Sequence, residues 1–226
     1  MIRTVRIAAI ALVAALTMAA GKPTSNWLKT VKITENGGHV LGNPEADVKL
    51  TEYVSYTCSH CGNFHREADG ALKLAYVMPG KVSVEIQHIV RDPVDLTVAL
   101  LTNCGETKGF FQRHNDFMAG QDKWLGKIGS TTQAQQARWY SGTIAARMQA
   151  IAHDFDFYPI MEKRGFSRAD VNRCLGDNAK AIMITNQGTQ ASELGVEATP
   201  SFALDGTLLA DTHKWNDLNK LLAARF

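Results

Sequence analysis

The period of hydrophobic and polar positions changes several times along this chain, and each change marks an element. Residues 48–54 favour a strand, and just after them Phe64, Ala68, Ala71, Leu72, Ala75 and Met78 recur at helical spacing until Met78-Pro79-Gly80 breaks the run. Residues 81–90 then alternate, with Val82, Val84, Ile86, His88 and Val90 on one side and Ser83, Glu85 and Gln87 on the other, which predicts a second strand. If the two strands pair in parallel, the connection between them must cross over in the right-handed sense. Ahead of this unit, residues 39–42 predict a brief edge strand and residues 43–46 a turn.

From Arg91-Asp92-Pro93 onward about a hundred residues carry helical periodicity, few strand-like runs and many helix punctuators. The predicted helices cover residues 95–103 and 109–119, a longer stretch within 133–153, and residues 158–164, closed by Gly165. Ser167 and Asp170 have the spacing of a capping box for a short helix ending at Cys174-Leu175-Gly176, and a further helix over 179–194 stops at Gly195. Strand character then returns at residues 201–204, the pair Asp205-Gly206 signals a hairpin, and residues 207–210 form its second arm. A last helix carries Trp215, Leu218, Leu221 and Leu222 on one face. The order strand, helix, strand, helical block, hairpin, helix makes this an α/β chain, and with Cys58 and Cys61 three residues apart at the head of the first helix it resembles a thioredoxin-like fold interrupted by an inserted α-helical domain. Its boundaries are expected at 38–93 and 195–226 for the thioredoxin-like part and 94–194 for the insertion, with 22–37 as an extended lead-in.

Composition narrows the function classes. With 24 basic and 22 acidic residues the formal net charge is +2, which leaves no electrostatic footprint for nucleic acid. The N-terminus carries more information. Arg3 and Arg6 precede an apolar run over 7–20, and Ala19, Ala20 and Gly21 are small residues suited to cleavage, so residues 1–21 read as a secretory signal peptide. The apolar run has 14 residues, short of the roughly 20 that a spanning helix needs. Export places the four cysteines where disulfides persist, with the periplasm as the expected location.

Cys58 and Cys61 lie one helical turn apart where the first strand gives way to the first helix. Backbone N–H groups there lack partners within the helix and the helix dipole presents its positive end, so a thiolate is favoured over a thiol. That arrangement supplies an attacking sulfur, Cys58, and a resolving one, Cys61, as thiol-disulfide exchange requires. A metal site built on Cys58, His60 and Cys61 is the competing chemistry, but a structural zinc takes four ligands and no second close pair occurs, so no metal and no cofactor is expected. Far along the chain, Thr199-Pro200 precedes a predicted strand, an awkward place for a residue without a backbone donor.

Cys58-Ser59-His60-Cys61, Glu52 six residues before the first cysteine, the helical insertion and Thr199-Pro200 before the closing hairpin together resemble a DsbA-family thiol-disulfide oxidoreductase from about Gly38 to Phe226. The resemblance implies a cis proline at 200 lying against the cysteines, with Thr199, Pro200 and Ser59 meeting a substrate peptide. It implies that His60 attracts the Cys58 thiolate, whereas Glu52 is either a buried carboxylate passing a proton to Cys61 or a strand residue facing solvent. Ser59 stands where the best-known oxidases have proline and Thr199 where they have valine; threonine there also occurs in isomerase-type relatives, which dimerise through an added N-terminal domain for which 22–38 leaves no room. The expected activity is introduction of disulfides into secreted proteins, the alternatives being an isomerase or reductase and a non-catalytic binding protein or chaperone. The implied partners are unfolded or reduced secreted proteins and a membrane redox partner of DsbB type. Cys104 and Cys174, at helix-like positions flanked by apolar residues, are expected to form a structural disulfide in preference to two buried thiols.

Overall fold

The computed structural model describes residues 26–226, so the signal peptide expected over 1–21 lies outside the described residues. In chain order the elements are strands β1 (Val31–Ile33), β2 (His39–Leu41) and β3 (Val48–Val54), helix α1 (Ser59–Leu72) and strand β4 (Val82–His88). A helical block follows, comprising α2 (Pro93–Thr102), α3 (Phe110–Ala119), α4 (Gln121–Leu125), α5 (Gln133–Trp139), α6 (Ile144–Asp154), α7 (Phe157–Glu162), α8 (Arg168–Leu175) and α9 (Asn178–Glu193). Strands β5 (Ser201–Leu204) and β6 (Thr207–Leu208) and helix α10 (Trp215–Ala223) complete the chain.

One sheet has the order β1-β2-β4-β3-β5-β6. Strand β3 runs parallel to β4, from Val48 opposite Val82 to Val54 opposite His88, and antiparallel to β5, with Glu52 opposite Phe202. This is the thioredoxin-like α/β architecture with a helical insertion between β4 and β5. The 22–37 stretch, expected as a lead-in, supplies the edge strand β1, paired antiparallel with β2. The closing hairpin turns at Asp205 (φ 51°) and Gly206 (φ 80°), both left-handed, as a two-residue turn matched to the strand twist requires.

Several elements depart from the sequence expectation for identifiable reasons. Helix α2 starts at Pro93 rather than 95 because the Asp92 carboxylate accepts from the backbone N–H groups of Val94 and Asp95, and proline suits the first helical position. The single helix expected within 133–153 is two, broken where Gly142 takes φ 88° and Thr143 caps α6 by accepting from Ala146 N–H. Helix α1 ends in a π turn over Lys73–Val77, whose wider coil advances the inward face. Tyr76 and Val77 are therefore buried, while Ala71, Ala75 and Met78 are exposed. On β4 the polar side is not a solvent face, for Ser83 and Gln87 are buried along with Val82, Val84 and Ile86. Helix α9 packs against that strand, where the fully buried Gln187 amide oxygen accepts from His88 N–H at 2.7 Å.

Candidate functional site

Strand β3 delivers the chain into a short loop, 55–57, whose backbone groups are met by side chains from the insertion. The Asp95 carboxylate accepts from Tyr56 N–H at 2.8 Å and from the Ser55 hydroxyl at 2.5 Å, and Asp92 accepts from the Thr57 hydroxyl at 2.7 Å. From α4 the buried Gln121 amide donates both to the Tyr56 carbonyl, 2.7 Å, and to the Cys58 carbonyl, 2.9 Å. Glycine at position 62 makes this possible, because a β-carbon there would collide with the Gln121 amide oxygen. Sequence reasoning missed this latch: Asp92 was readable as a helix cap, but nothing in a linear pattern points to Gln121.

Cys58 is the N-cap residue of α1, in extended conformation, and its carbonyl accepts from the N–H groups of Cys61 (3.1 Å) and Gly62 (3.3 Å). Both cysteines are free thiols here. Neither is freely exposed: Cys58 shows 4 % of its surface and Cys61 none, so Cys58 is accessible only relative to its partner. The two sulfurs titrate far apart. A hydrogen bond from the Cys61 side chain, aided by the Thr199 side chain and by the backbone N–H groups of Cys61 and His60, pulls Cys58 down to about 4 against the opposing effect of its burial. Burial pushes Cys61 well up, and its hydrogen bond to Cys58 and the Cys58 charge add to this. The exposed His60 thus helps the thiolate through its backbone, a contribution that residues other than proline would also supply.

The loop preceding β5 closes over Cys58. The Thr199-Pro200 peptide bond is cis, and the Cys58 thiol donates to the Thr199 carbonyl oxygen at 3.2 Å across 141 positions of sequence. Beside it runs a groove lined by His60, Asn63, Phe64, Pro200, His213 and Trp215. Ser59, expected to meet substrate, is exposed on the first turn of α1 and lies outside that lining.

Glu52 is buried at 7 % exposure, which decides between the two orientations left open by the sequence. Burial, reinforced by the nearby Asp69 charge and only partly offset by Lys73, pushes its carboxyl up to about 8. It lines a small cavity together with His65, Asp69, Lys73 and His114, and its charge is one of the influences raising Cys61. At about 20 Å³ the cavity has room for one water. Cys104 and Cys174 are joined by a disulfide with Cα atoms 5.5 Å apart, linking the end of α2 to α8 within the insertion.

Comparison with known proteins agrees with this geometry. The thioredoxin family model matches residues 34–224. A crystal structure described as a protein-disulfide isomerase from Novosphingobium aromaticivorans is 46% identical with a TM-score of 0.80, covering 83% of this chain and 96% of that one. The α-DsbA1 of Wolbachia pipientis shares the fold, with a TM-score of 0.67 at 20% identity over 85% of this chain and 92% of its own. Among curated sequences, a provisionally named protein-disulfide oxidoreductase of Rickettsia conorii is 29% identical over 195 residues, 84% of this chain and 62% of the relative. The chain thus spans about three-fifths of the length of that curated relative. On the match to residues 34–224 and the likeness in structure, the chain belongs to the thioredoxin family and has the DsbA-type fold, a thioredoxin-like domain interrupted by helices.

Proposed function

We propose that this chain is an exported protein thiol-disulfide oxidoreductase that introduces disulfides into secreted proteins through the Cys58–Cys61 pair. The observation that carries the reading is the separation of two adjacent thiols, Cys58 drawn down to about 4 while Cys61 is pushed well up. In the oxidised enzyme a substrate thiolate attacks Cys58 Sγ, the Cys58–Cys61 bond breaks, and Cys61 leaves with the electron pair and takes a proton from Glu52. The second substrate thiolate then attacks the substrate sulfur of the mixed disulfide. The substrate gains its disulfide and Cys58 departs as a thiolate, for which a low pKa makes it a good leaving group. Two electrons remain on the enzyme, and a membrane redox partner of DsbB type would remove them. Thr199 and Pro200 border the groove in which the substrate peptide lies, its backbone bonding to the loop irrespective of side chains.

Lowering Cys58 from 9.0 to about 4 stabilises the reduced protein at pH 7 by roughly 4 kcal/mol, equivalent to about 90 mV of oxidising power. A depressed pKa contributes fully above the unfolded value and is lost as pH falls through the folded one, so this advantage should fade toward pH 4. A second reading, isomerase, is favoured by the Novosphingobium relative's description and by Thr199 before the proline. The deciding measurement is the Cys58–Cys61 reduction potential against glutathione, together with oxidation of a reduced peptide. A strongly oxidising couple with rapid peptide oxidation supports the oxidase. A couple near the isomerase range, with reactivation of scrambled substrate, transfers the assignment to isomerase, and a redox-inert pair leaves a binding protein.

A further inference from the structure

The Pro200 carbonyl lies between Thr199, which touches the Cys58 sulfur, and the start of the β3–β5 ladder, whose register begins at Ser201 opposite Tyr53. Among the described residues its hydrogen-bond donor is a side chain, the imidazole of His213, with Nδ1 at 2.7 Å. A carbonyl can only accept, so Nδ1 carries the hydrogen. His213 sits in the segment joining β6 to α10, and that segment is held in place. Leu209 N–H donates to the Phe202 carbonyl at 2.8 Å, Asp211 adopts the left-handed conformation at φ 55°, and Thr212 is buried with its hydroxyl on the Ala210 carbonyl at 3.1 Å. Left-handed backbone at a residue with a side chain is uncommon and persists where the surroundings hold it. Here the result is to deliver an imidazole beneath the loop that covers the reactive cysteine.

We propose that His213 is a positioning residue for the Thr199-Pro200 loop: by holding the Pro200 carbonyl, it keeps Thr199 against the Cys58 sulfur. The inference rests on the reading of Cys58 as the reactive thiol. Losing the clamp lets the loop move away from Cys58. Two contacts then weaken with opposite effects, since the Thr199 side chain favours the thiolate and the Thr199 carbonyl favours the thiol. The Thr199 side chain is among the groups that hold Cys58 low, so its displacement makes the thiol less acidic.

The test is titration of the reduced full chain by thiolate absorbance, in the parent, His213→Ala and His213→Asn. Asparagine places an amide donor near the position of Nδ1. With a hydrogen bond of ordinary strength at stake, His213→Ala should raise the Cys58 pKa by about half a unit to one unit, and His213→Asn should restore most of the shift. Because His213 is exposed, both variants should keep the parent's thermal midpoint within a few degrees. An unchanged Cys58 pKa in His213→Ala, or a shift that asparagine does not repair, overturns the proposal. A parent Cys58 that titrates as an ordinary thiol overturns the functional reading instead, and the two failures are told apart because no substrate is used.

Discussion

His114 Nδ1 lies 2.9 Å from the phenolic oxygen of Tyr56, two residues before Cys58, so the loop that leads into the cysteine pair is tied to a buried histidine on α3. The Tyr56 hydroxyl also reaches Thr102 at 3.1 Å, and around this pair gather three more buried histidines, His39, His65 and His88, with His39 stacked on Phe110 at 3.8 Å between ring centres. Burial lowers all four, His39 and His88 to about 3 and His114 well below its ordinary value.

His39 and His88 are neutral in the fold until pH approaches 3 and charge on unfolding, so their effect on stability appears below the unfolded value near 6.5 and grows as pH falls, and the lowering of His65 and His114 acts in the same direction. Glu52 and Asp95, raised to about 8 and about 7, work the other way: protonated in the fold and ionised in the unfolded chain, they lose stability as pH rises. The oxidised protein should therefore lose stability as pH falls, most steeply below about 4 where the carboxylates no longer oppose, each histidine held neutral contributing up to about 1.4 kcal/mol per pH unit. Urea midpoints at pH 7, 5 and 4 would show it, and His88→Gln should flatten the slope by about 1.4 kcal/mol per unit. A stability that is level from pH 7 to 4 contradicts this account.

Alkylation of the reduced protein near pH 6 should modify Cys58 before Cys61, by at least about tenfold, since only Cys58 is ionised there and only it retains any exposed surface. Peptide mapping after a short pulse of iodoacetamide reads the ratio. Equal labelling, or labelling of Cys61 first, removes the assignment of roles.

Glu52→Gln removes a carboxylate whose ionisation the fold opposes. Because the folded pKa is raised from 4.5 to about 8, the variant should be more stable than the parent by roughly 3 kcal/mol at pH 7, with the difference shrinking toward pH 4.5. Exchange should slow, because Cys61 loses its proton donor. Denaturant unfolding at the two pH values, with peptide oxidation rates, tests both halves; an unaltered rate would make Glu52 a buried bystander.

Replacing Gln121 by leucine deletes two hydrogen bonds, one to the Tyr56 carbonyl and one to the Cys58 carbonyl, of which the second keeps its bonds from the Cys61 and Gly62 N–H groups. A loss of about 2 to 3 kcal/mol in unfolding free energy is expected. Amide exchange in residues 55–62 should accelerate more than in β3. Uniform exchange across both regions would mean that Gln121 supports the fold without fixing the loop.

The disulfide between Cys104 and Cys174 closes a loop spanning 70 positions. Its removal in a Cys104→Ala, Cys174→Ala variant should cost about 4 kcal/mol, chiefly through the greater freedom of the unfolded chain. The Cys58 pKa should stay put, since the disulfide lies outside the groove beside that residue. A change in Cys58 titration would reveal a coupling between insertion and site.

Local pattern alone settles a good deal about this protein. Period changes delimit β3, α1, β4 and the hairpin, and the cysteine pair falls where a strand ends and a helix begins, because unpaired N–H groups occur there whatever the rest of the chain does. Asp205-Gly206 and the Ser167 capping box were legible for the same reason, their chemistry being complete within four residues. What lies on the far side of an element was not legible. Periodicity says which residues share a face but not what covers it, so the burial of Ser83 and Gln87 on β4, and of Glu52 on β3, depended on elements packed from elsewhere. The π turn shifted the inward face of α1 by an amount that no helical period contains. Gln121 under the Cys58 loop, His114 against Tyr56 and His213 beneath Pro200 are contacts between residues 63, 58 and 13 positions apart. Each is a polar group that acquires its meaning from a hydrogen-bond partner supplied by another element, and only the packed tertiary structure brings the two into the same place.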